Sequence, residues 1–366
     1  MSSGQTGNRE TMRALEELPN PNLSVFRPYS GNGTLHAALA RLREMTSDEW
    51  ENTTLAYADA LRNKEKYSHV FKLGGAGDKG RDVVALYAGE THLKMNKWDC
   101  YQCKHYKDPL SLSGVRSELE KFLFNVFANE YPLPKKYFLV APCGLGPSLK
   151  DCILQNKPDI KTDLLVHGQL LDNQGFSEFI RSFDFSIFGF VEPSEMIDDL
   201  CQSRWGSAIF DIPLERLPIF QDENPPLEQE QSAQYVNALR EAYSDYKKDP
   251  RLRLDDLSRI DSQLWKHFEQ SRKAFHSTEA MFRFYRSSVP PDSDKILLHE
   301  VENGINDVLF DPDISDGYRR VLEAVREAKT ISLNRSVYKD QIGSLEKEGA
   351  CHHLSNRSDK PIKWVN

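Results

Sequence analysis

Between Trp98 and Tyr106 the chain runs through a segment rich in aromatic residues that reads as a β-strand. Successive strand side chains point to opposite sides, so Gln102 and Lys104 share one face while Tyr101, Cys103 and His105 share the other. A polar pair on the inner face of a strand costs burial free energy unless something uses it. A second strand-like run, Val83 to Tyr87, is opened by Asp82 and preceded by Gly74-Gly75-Ala76-Gly77-Asp78-Lys79-Gly80-Arg81. If the two strands are antiparallel neighbours, the Asp82 carboxylate meets the Gln102 amide oxygen around one hard cation, with the Lys104 ammonium beside them. Magnesium takes oxygen ligands and retains water, which suits one carboxylate, one amide oxygen and a backbone carbonyl. A metal so held acidifies a bound water and stabilises charge on a phosphate, and Lys104 would orient that water or screen the charge.

Two other readings compete for these residues. Gly75-x-Gly77-x-x-Gly80 satisfies the dinucleotide-binding glycine pattern, with Asp99 placed where a ribose-binding acid is expected. That fingerprint has to open a helix so that backbone amides converge on a pyrophosphate. Arg81-Asp82-Val83-Val84-Ala85-Leu86-Tyr87 follows instead, with β-branched residues and no helix cap, which disfavours a nucleotide-dependent oxidoreductase. The plainer alternative makes the glycines a tight turn and Asp78 and Asp82 turn acids. Joined to Gln102-x-Lys104, that alternative yields to the catalytic one.

The order Asp82, then Gln102-x-Lys104, resembles the PD-(D/E)xK restriction-endonuclease-like superfamily. The segments GGAGDKGRDV and YQCKHY resemble its Mrr-type branch, where glutamine replaces the second acid. The resemblance implies magnesium-dependent DNA cleavage, with manganese as a substitute, Asp82 and Gln102 as metal ligands and Lys104 as catalytic base or charge screen. It also implies an acid on the preceding helix. Glu51, after Trp50 in a predicted helix, matches it as a further metal ligand, although a first-turn acid favoured by the helix dipole is the simpler role. The proline of the superfamily's name is absent, since Arg81 precedes Asp82, a departure that Mrr-type members share.

A net charge of -8 argues against a general nucleic-acid coat, because nonspecific affinity comes chiefly from lysine and arginine on phosphates. Local charge is another matter. Lys79, Arg81 and Lys107 are the candidate DNA contacts, with Lys94, Lys97, Arg116 and Lys121 near them and Trp98, Tyr101 and Tyr106 interleaved. An acidic chain with a basic pocket fits a nuclease that becomes active as a homo-oligomer or through partners. No run is long and apolar enough to cross a bilayer, and Met1-Ser2-Ser3-Gly4-Gln5 lacks signal-peptide character, so a cytoplasmic location is expected. Six cysteines without framework spacing suit reduced thiols.

The length of 366 residues predicts two domains. Residues 1–30, with Pro19, Pro21 and Pro28, read as a partly ordered arm. Residues 31–226 read as an α/β restriction-endonuclease-like domain, a mixed sheet flanked by helices. Thr46-Ser47-Asp48-Glu49 forms a capping box opening a helix to about Lys64. Strands follow near His69–Leu73, Val83–Tyr87 and Trp98–His105, then a helix over Leu112–Asn129 and a strand over Lys136–Pro142. Asp222-Glu223-Asn224-Pro225-Pro226 marks the boundary, and residues 227–366 read as an all-α domain.

Phe282-Arg283-Phe284-Tyr285-Arg286 and the ending GACHHLSNRSDKPIKWVN resemble the C-terminal domain of ABC-three-component defence proteins, including effector subunits of Lamassu-type systems. That resemblance implies an antiphage or anti-plasmid effector whose helical domain docks on an ATPase of the structural-maintenance-of-chromosomes (SMC) type and an accessory subunit. A noncatalytic scaffold that keeps the nuclease fold and recruits DNA or partners is the rival. Adjacent Cys351, His352 and His353 are poor chelators, and Cys100 and Cys103 point to opposite faces of a strand, so packing is expected of both sets.

Overall fold

The computed structural model describes residues 34–63, 66–73, 79–88, 90, 97–155, 158–173, 175–216 and 225–365. The proposed arm, the glycine run at 74–78, Lys94 and most of the 222–226 break lie outside the described residues. The chain divides into two compact units, one ending at Ile212 and the next beginning at Pro213.

The first unit is α/β. Helix α1 (Leu35–Glu44) is capped by Thr34, and α2 (Ser47–Asn63) by the expected capping box. Thr46 Oγ1 accepts from the Glu49 N–H at 3.2 Å, and Glu49 Oε2 accepts from the Thr46 N–H at 2.7 Å. Strands β1 (Tyr67–Lys72), β2 (Val83–Tyr87) and β3 (Trp98–Cys103) then form an antiparallel meander. Helix α3 (Leu112–Phe127) crosses to β4 (Lys136–Val140), which pairs parallel to β3. The succession helix, three strands, helix, strand is therefore present. Helices α4 (Pro147–Leu154), α5 (Asp159–His167) and α6 (Phe176–Ser182) lead to β5 (Phe188–Val191), parallel to β4, followed by α7 (Pro193–Cys201) and α8 (Gly206–Phe210). Among the described residues the sheet has five strands in the order β1-β2-β3-β4-β5.

Strand alternation gives the sheet two cores. Val84, Leu86, Trp98 and Cys100 pack with Val115, Leu119 and Phe122 of α3. Val83, Ala85, Tyr101 and Cys103 pack with Trp50 and Leu55 of α2 and Met196 and Leu200 of α7. Cys100 and Cys103 thus belong to different cores. Helix α3 stops earlier than its apolar pattern suggests because Asn129 turns left-handed, at φ 54. The Asn129 and Glu130 N–H groups then bond back to Val126 O (3.0 Å) and Asn125 O (3.0 Å), a Schellman closure.

The second unit is helical, with α9 (Gln234–Lys247), α10 (Leu254–Ile260), α11 (Ser262–Tyr285), α12 (Ser293–Phe310), α13 (Gly317–Thr330) and α14 (Ser344–Ser355). Asp261 opens α11 by accepting from the Gln263 and Leu264 N–H groups at 3.0 and 3.1 Å. Within this unit a buried Glu230 holds the segment before α9 against α11. It accepts from Arg272 Nε and from the Tyr235 hydroxyl, both at 2.6 Å. Helix α14 lies so close to α11 that a Cβ on Gly349 would meet Ala274 O at 2.1 Å and Thr278 Oγ1 at 2.2 Å. Only glycine permits that approach. The Cys-His-His run follows on the same helix and serves packing: Cys351 and His352 are fully buried, and His353 stacks on Phe275 with ring centroids 4.2 Å apart.

Three histidines give this unit a pH dependence, His352 fully buried and His267 and His353 largely enclosed. Burial pushes His352 down to about 3, with His267, His353 and Lys329 adding to the effect. Burial likewise pushes His267 and His353 down to about 4. Neither ring nitrogen of His352 has a hydrogen-bond partner among the described residues. Since these folded values lie below the ordinary one, the unfolded chain binds protons first as pH falls from about 6.5 to about 4. Each histidine then removes up to about 1.4 kcal/mol of stability per pH unit in that window. Urea titrations between pH 7 and pH 4.5 should show this loss, and His352→Leu should keep stability at pH 7 while flattening the slope by up to about one proton.

Candidate active site

Strand register assembles the site. Val83 pairs with Tyr101, so Asp82, one residue before β2, falls opposite Gln102 on β3. The Gln102 Nε2 amide donates to Asp82 Oδ2 at 2.7 Å, and the Cys103 backbone N–H donates to the same oxygen at 2.7 Å. Both side chains are buried, Asp82 at 7% exposure and Gln102 at 3%. On β4, the Tyr137 hydroxyl lies 3.1 Å from Gln102 Oε1 and 3.1 Å from the Gly80 carbonyl oxygen.

Lys104 continues the ladder one residue past β3, its N–H donating to Val140 O at 2.9 Å. That fixes its side chain on the Gln102 face, under α3, where Nζ is 2.7 Å from Glu118 Oε1. Glu118 is a carboxylate that sequence reasoning missed. It sits one turn before Phe122, beside the buried stripe of α3, and that edge position is the only signal it gave. Glu51 lies on α2, and its Oε2 is 3.1 Å from Lys72 Nζ, which also reaches Asp48 Oδ1 at 2.5 Å.

The field around Asp82 extends both ways. Burial, then the Asp82 carboxylate, raises the Cys103 thiol well above its ordinary range, and Glu51 adds to it. Burial comes first for the Tyr137 hydroxyl as well, followed by its thiol and phenol neighbours and the carboxylates of Asp82 and Glu118. Among the described residues no three His, Cys, Asp or Glu side chains are grouped to hold a metal. A cation at this place would rest on Asp82 and the Gln102 amide oxygen, with water completing its shell. Those hard oxygen donors fit magnesium.

The structure treats the three proposed DNA contacts differently. Lys107 is exposed. Lys79 is partly exposed and ion-paired with Glu130. Arg81 is 2% exposed, with its guanidinium over the Tyr131 ring and Cζ 4.0 Å from the ring centroid. Nearby, Arg116 is bound through Nε and Nη2 to Asp163 at 2.6 and 2.7 Å.

On the other face of β3, Asp99 is fully buried and accepts from the Tyr67 and Tyr87 hydroxyls at 2.6 and 3.0 Å. Lys66 Nζ stands 3.6 Å away. Burial, then the Asp99 charge, lifts the Tyr87 hydroxyl to about 12. This acid ties β1, β2 and β3 together, and the chain after Gly80 enters a strand rather than a helix. The dinucleotide pattern therefore lacks the helix N-terminus that its phosphate would need.

The fold joins an α/β unit to a helical one, and the helical one has a known counterpart. Residues 232–364 match the family model for C-terminal domain 6 of the ABC-three component (ABC-3C) systems, about a third of the chain. The match supports the C-terminal part of the resemblance and implies partner subunits in a multi-component system. A protein of Kluyveromyces lactis whose name proposes a transcription factor, SEF1, is 28% identical over 106 residues, 27% of this chain and 9% of that protein. The chain thus spans under a tenth of that relative's length. No solved structure matches the chain. No helix among the described residues is long and apolar enough to cross a membrane.

Burial of Arg81 gives a test of its structural part. Arg81→Ala should lower stability by about 2–4 kcal/mol through lost stacking and packing. Arg81→Lys should recover little of the loss, because an ammonium lacks the planar guanidinium that sits over Tyr131. Thermal melting of the three proteins makes the comparison.

Proposed function

We propose that this protein is a magnesium-dependent DNA endonuclease, the effector subunit of a bacterial multi-component defence system directed against phage or plasmids. The observation that carries this reading is the Asp82–Gln102 contact, 2.7 Å across neighbouring antiparallel strands, with Lys104 next on the same face. A restriction-endonuclease-like core has this element order and gathers its acid, amide and lysine at this end of the sheet.

In this reading the oxygens of Asp82 and Gln102 would hold the magnesium ion, with Glu51, here paired with Lys72, as a further ligand. The ion, when bound, supplies an acidified water and neutralises phosphate charge. Lys104 orients the attacking water or screens the negative charge that builds on the scissile phosphate. Lys79 and Lys107 attract the DNA backbone. Arg81 acts from beneath, holding the turn that presents Asp82. The match of residues 232–364 supports a subunit role, and the finer reading is docking of this domain on an SMC-like ATPase and an accessory subunit.

One observation favours a second reading. Lys104 and Glu51 already have internal partners, Glu118 at 2.7 Å and Lys72 at 3.1 Å, as they would in a scaffold that recruits DNA without cutting it. In an endonuclease the same pairs describe a resting state that DNA phosphate and metal displace.

Cleavage of supercoiled plasmid by the purified protein with magnesium, alone and with its partner subunits, separates the two. Asp82→Ala and Lys104→Ala should each reduce cleavage by at least about 100-fold, with Asp82→Ala also melting lower because the Gln102 amide and the Cys103 N–H lose their acceptor. Glu118→Gln should raise DNA affinity severalfold by releasing Lys104. Equal behaviour of all four proteins in every mixture would leave the scaffold.

A further inference from the structure

We infer that the Gln102 side-chain amide is a two-position element and that Tyr137 is the positioning residue that turns it toward the cation-binding orientation. This deepens the reading of Asp82 and Gln102 as a metal site and rests on it.

In the structure the Gln102 amide nitrogen donates to Asp82 Oδ2 at 2.7 Å, so its oxygen faces Tyr137. The Tyr137 hydroxyl stands 3.1 Å from that oxygen and 3.1 Å from the Gly80 carbonyl oxygen. A phenol has one proton to give and both neighbours are acceptors, so it cannot serve the two fully at once. Exchanging amide nitrogen and oxygen changes almost nothing in shape. It does reverse the bonding. The amide nitrogen then donates to the Tyr137 oxygen, and the Tyr137 O–H donates to Gly80 O. Along this path the Tyr137 O–H and one of the two amide N–H groups each meet an acceptor.

The cost appears at the other end. The reversed amide sets Oε1 against Asp82 Oδ2, two acceptors facing each other in a largely buried place, where Gln102 is 3% exposed and Asp82 7%. Such a pair is tolerable only with a positive charge beside it. The orientation that suits Tyr137 and Gly80 is therefore the one that offers two oxygens to a cation. The present orientation, with the amide nitrogen on Asp82 and Tyr137 shared between Gln102 Oε1 and Gly80 O, shuts the site with an N–H. Tyr137 lies fully buried in the sheet core between these groups, within reach of both acceptors.

Gly80 belongs to the same device. It holds φ at +82, directly after Lys79 at φ 53, and this left-handed pair is the turn that delivers its carbonyl to Tyr137.

The test uses Mn2+ as probe and the full-length protein, with bound ion read by electron paramagnetic resonance rather than by cleavage. Tyr137→Phe removes about one net hydrogen bond from the binding orientation and should weaken Mn2+ binding about three- to tenfold. In a Gln102→Glu background the ligand has no nitrogen to turn, so Tyr137→Phe should change Mn2+ affinity less than about twofold there. Side-chain amide resonances of Gln102 should shift on Mg2+ addition in the parent protein.

Failure of the metal site itself has a different signature. If Asp82→Asn binds Mn2+ as the parent does, the underlying assignment is wrong. If Asp82→Asn loses binding while Tyr137→Phe binds like the parent, the site stands and the turning amide is refuted. Should Tyr137→Phe fail to fold, the Gln102 side-chain amide of the parent decides: on Mg2+ addition its NH2 protons should lose their nuclear Overhauser contact with the Cys103 amide proton and gain one with the Tyr137 ring, and unchanged contacts would overturn the proposal.

Discussion

The register of β2 against β3 is the constraint from which the rest of the site follows. With Val83 opposite Tyr101, Asp82 stands across from Gln102. A slip of one residue would send every side chain of β3 to the other face. Both faces are packed, one with Val84, Leu86, Trp98 and Cys100, the other with Val83, Ala85, Tyr101 and Cys103, so a slip would set large rings such as Trp98 against the wrong helix. Two packed cores therefore lock the pairing of a carboxylate and an amide that neither core contains. Asp99 reinforces the same lock, with tyrosines of β1 and β2 bound to one carboxylate on β3.

Much of this was legible because strand periodicity is a strong signal. The faces of Gln102, Lys104, Cys100 and Cys103 follow from a period of two, and the capping box at Thr46 and Glu49 from one hydrogen-bonding motif. Ends of elements were harder. The helix after Leu112 stops at Phe127 because Asn129 turns left-handed, a local choice that an apolar stripe does not report. The helix Asp159–His167 carries a weak pattern, whereas Leu35–Glu44 and Pro193–Cys201 are amphipathic but too short to give a repeat of more than two or three turns. Glu118 was illegible for another reason: its partner is Lys104, fourteen positions earlier, and a long-range ion pair leaves no periodic trace. The burial of Arg81 depends on Tyr131 in the same way.

The helical unit shows how an unusual sequence ending can be structural. Cys351, His352 and His353 look like ligands, yet one is buried beside the backbone of its own helix, one lies in the core without a hydrogen-bond partner among the described residues, and one stacks on Phe275. Gly349 sets them there by bringing α14 onto α11. The match to C-terminal domain 6 spans the same helices, so the run of small and ring-bearing residues marks a packing arrangement.

The candidate residues sit where β2 begins and β3 ends, on the two strands flanked on either side by β1 and β4. An incoming molecule consequently meets no unpaired strand border and must arrive along the strand axis, past the loops at the rim. Of the described residues there, Tyr106, Lys107 and Asp108 just after β3 are exposed, outside the packing that locks the interior. Replacing them could retune what the site admits while leaving the scaffold beneath intact, a division of labour that lets selectivity drift quickly and the framework slowly.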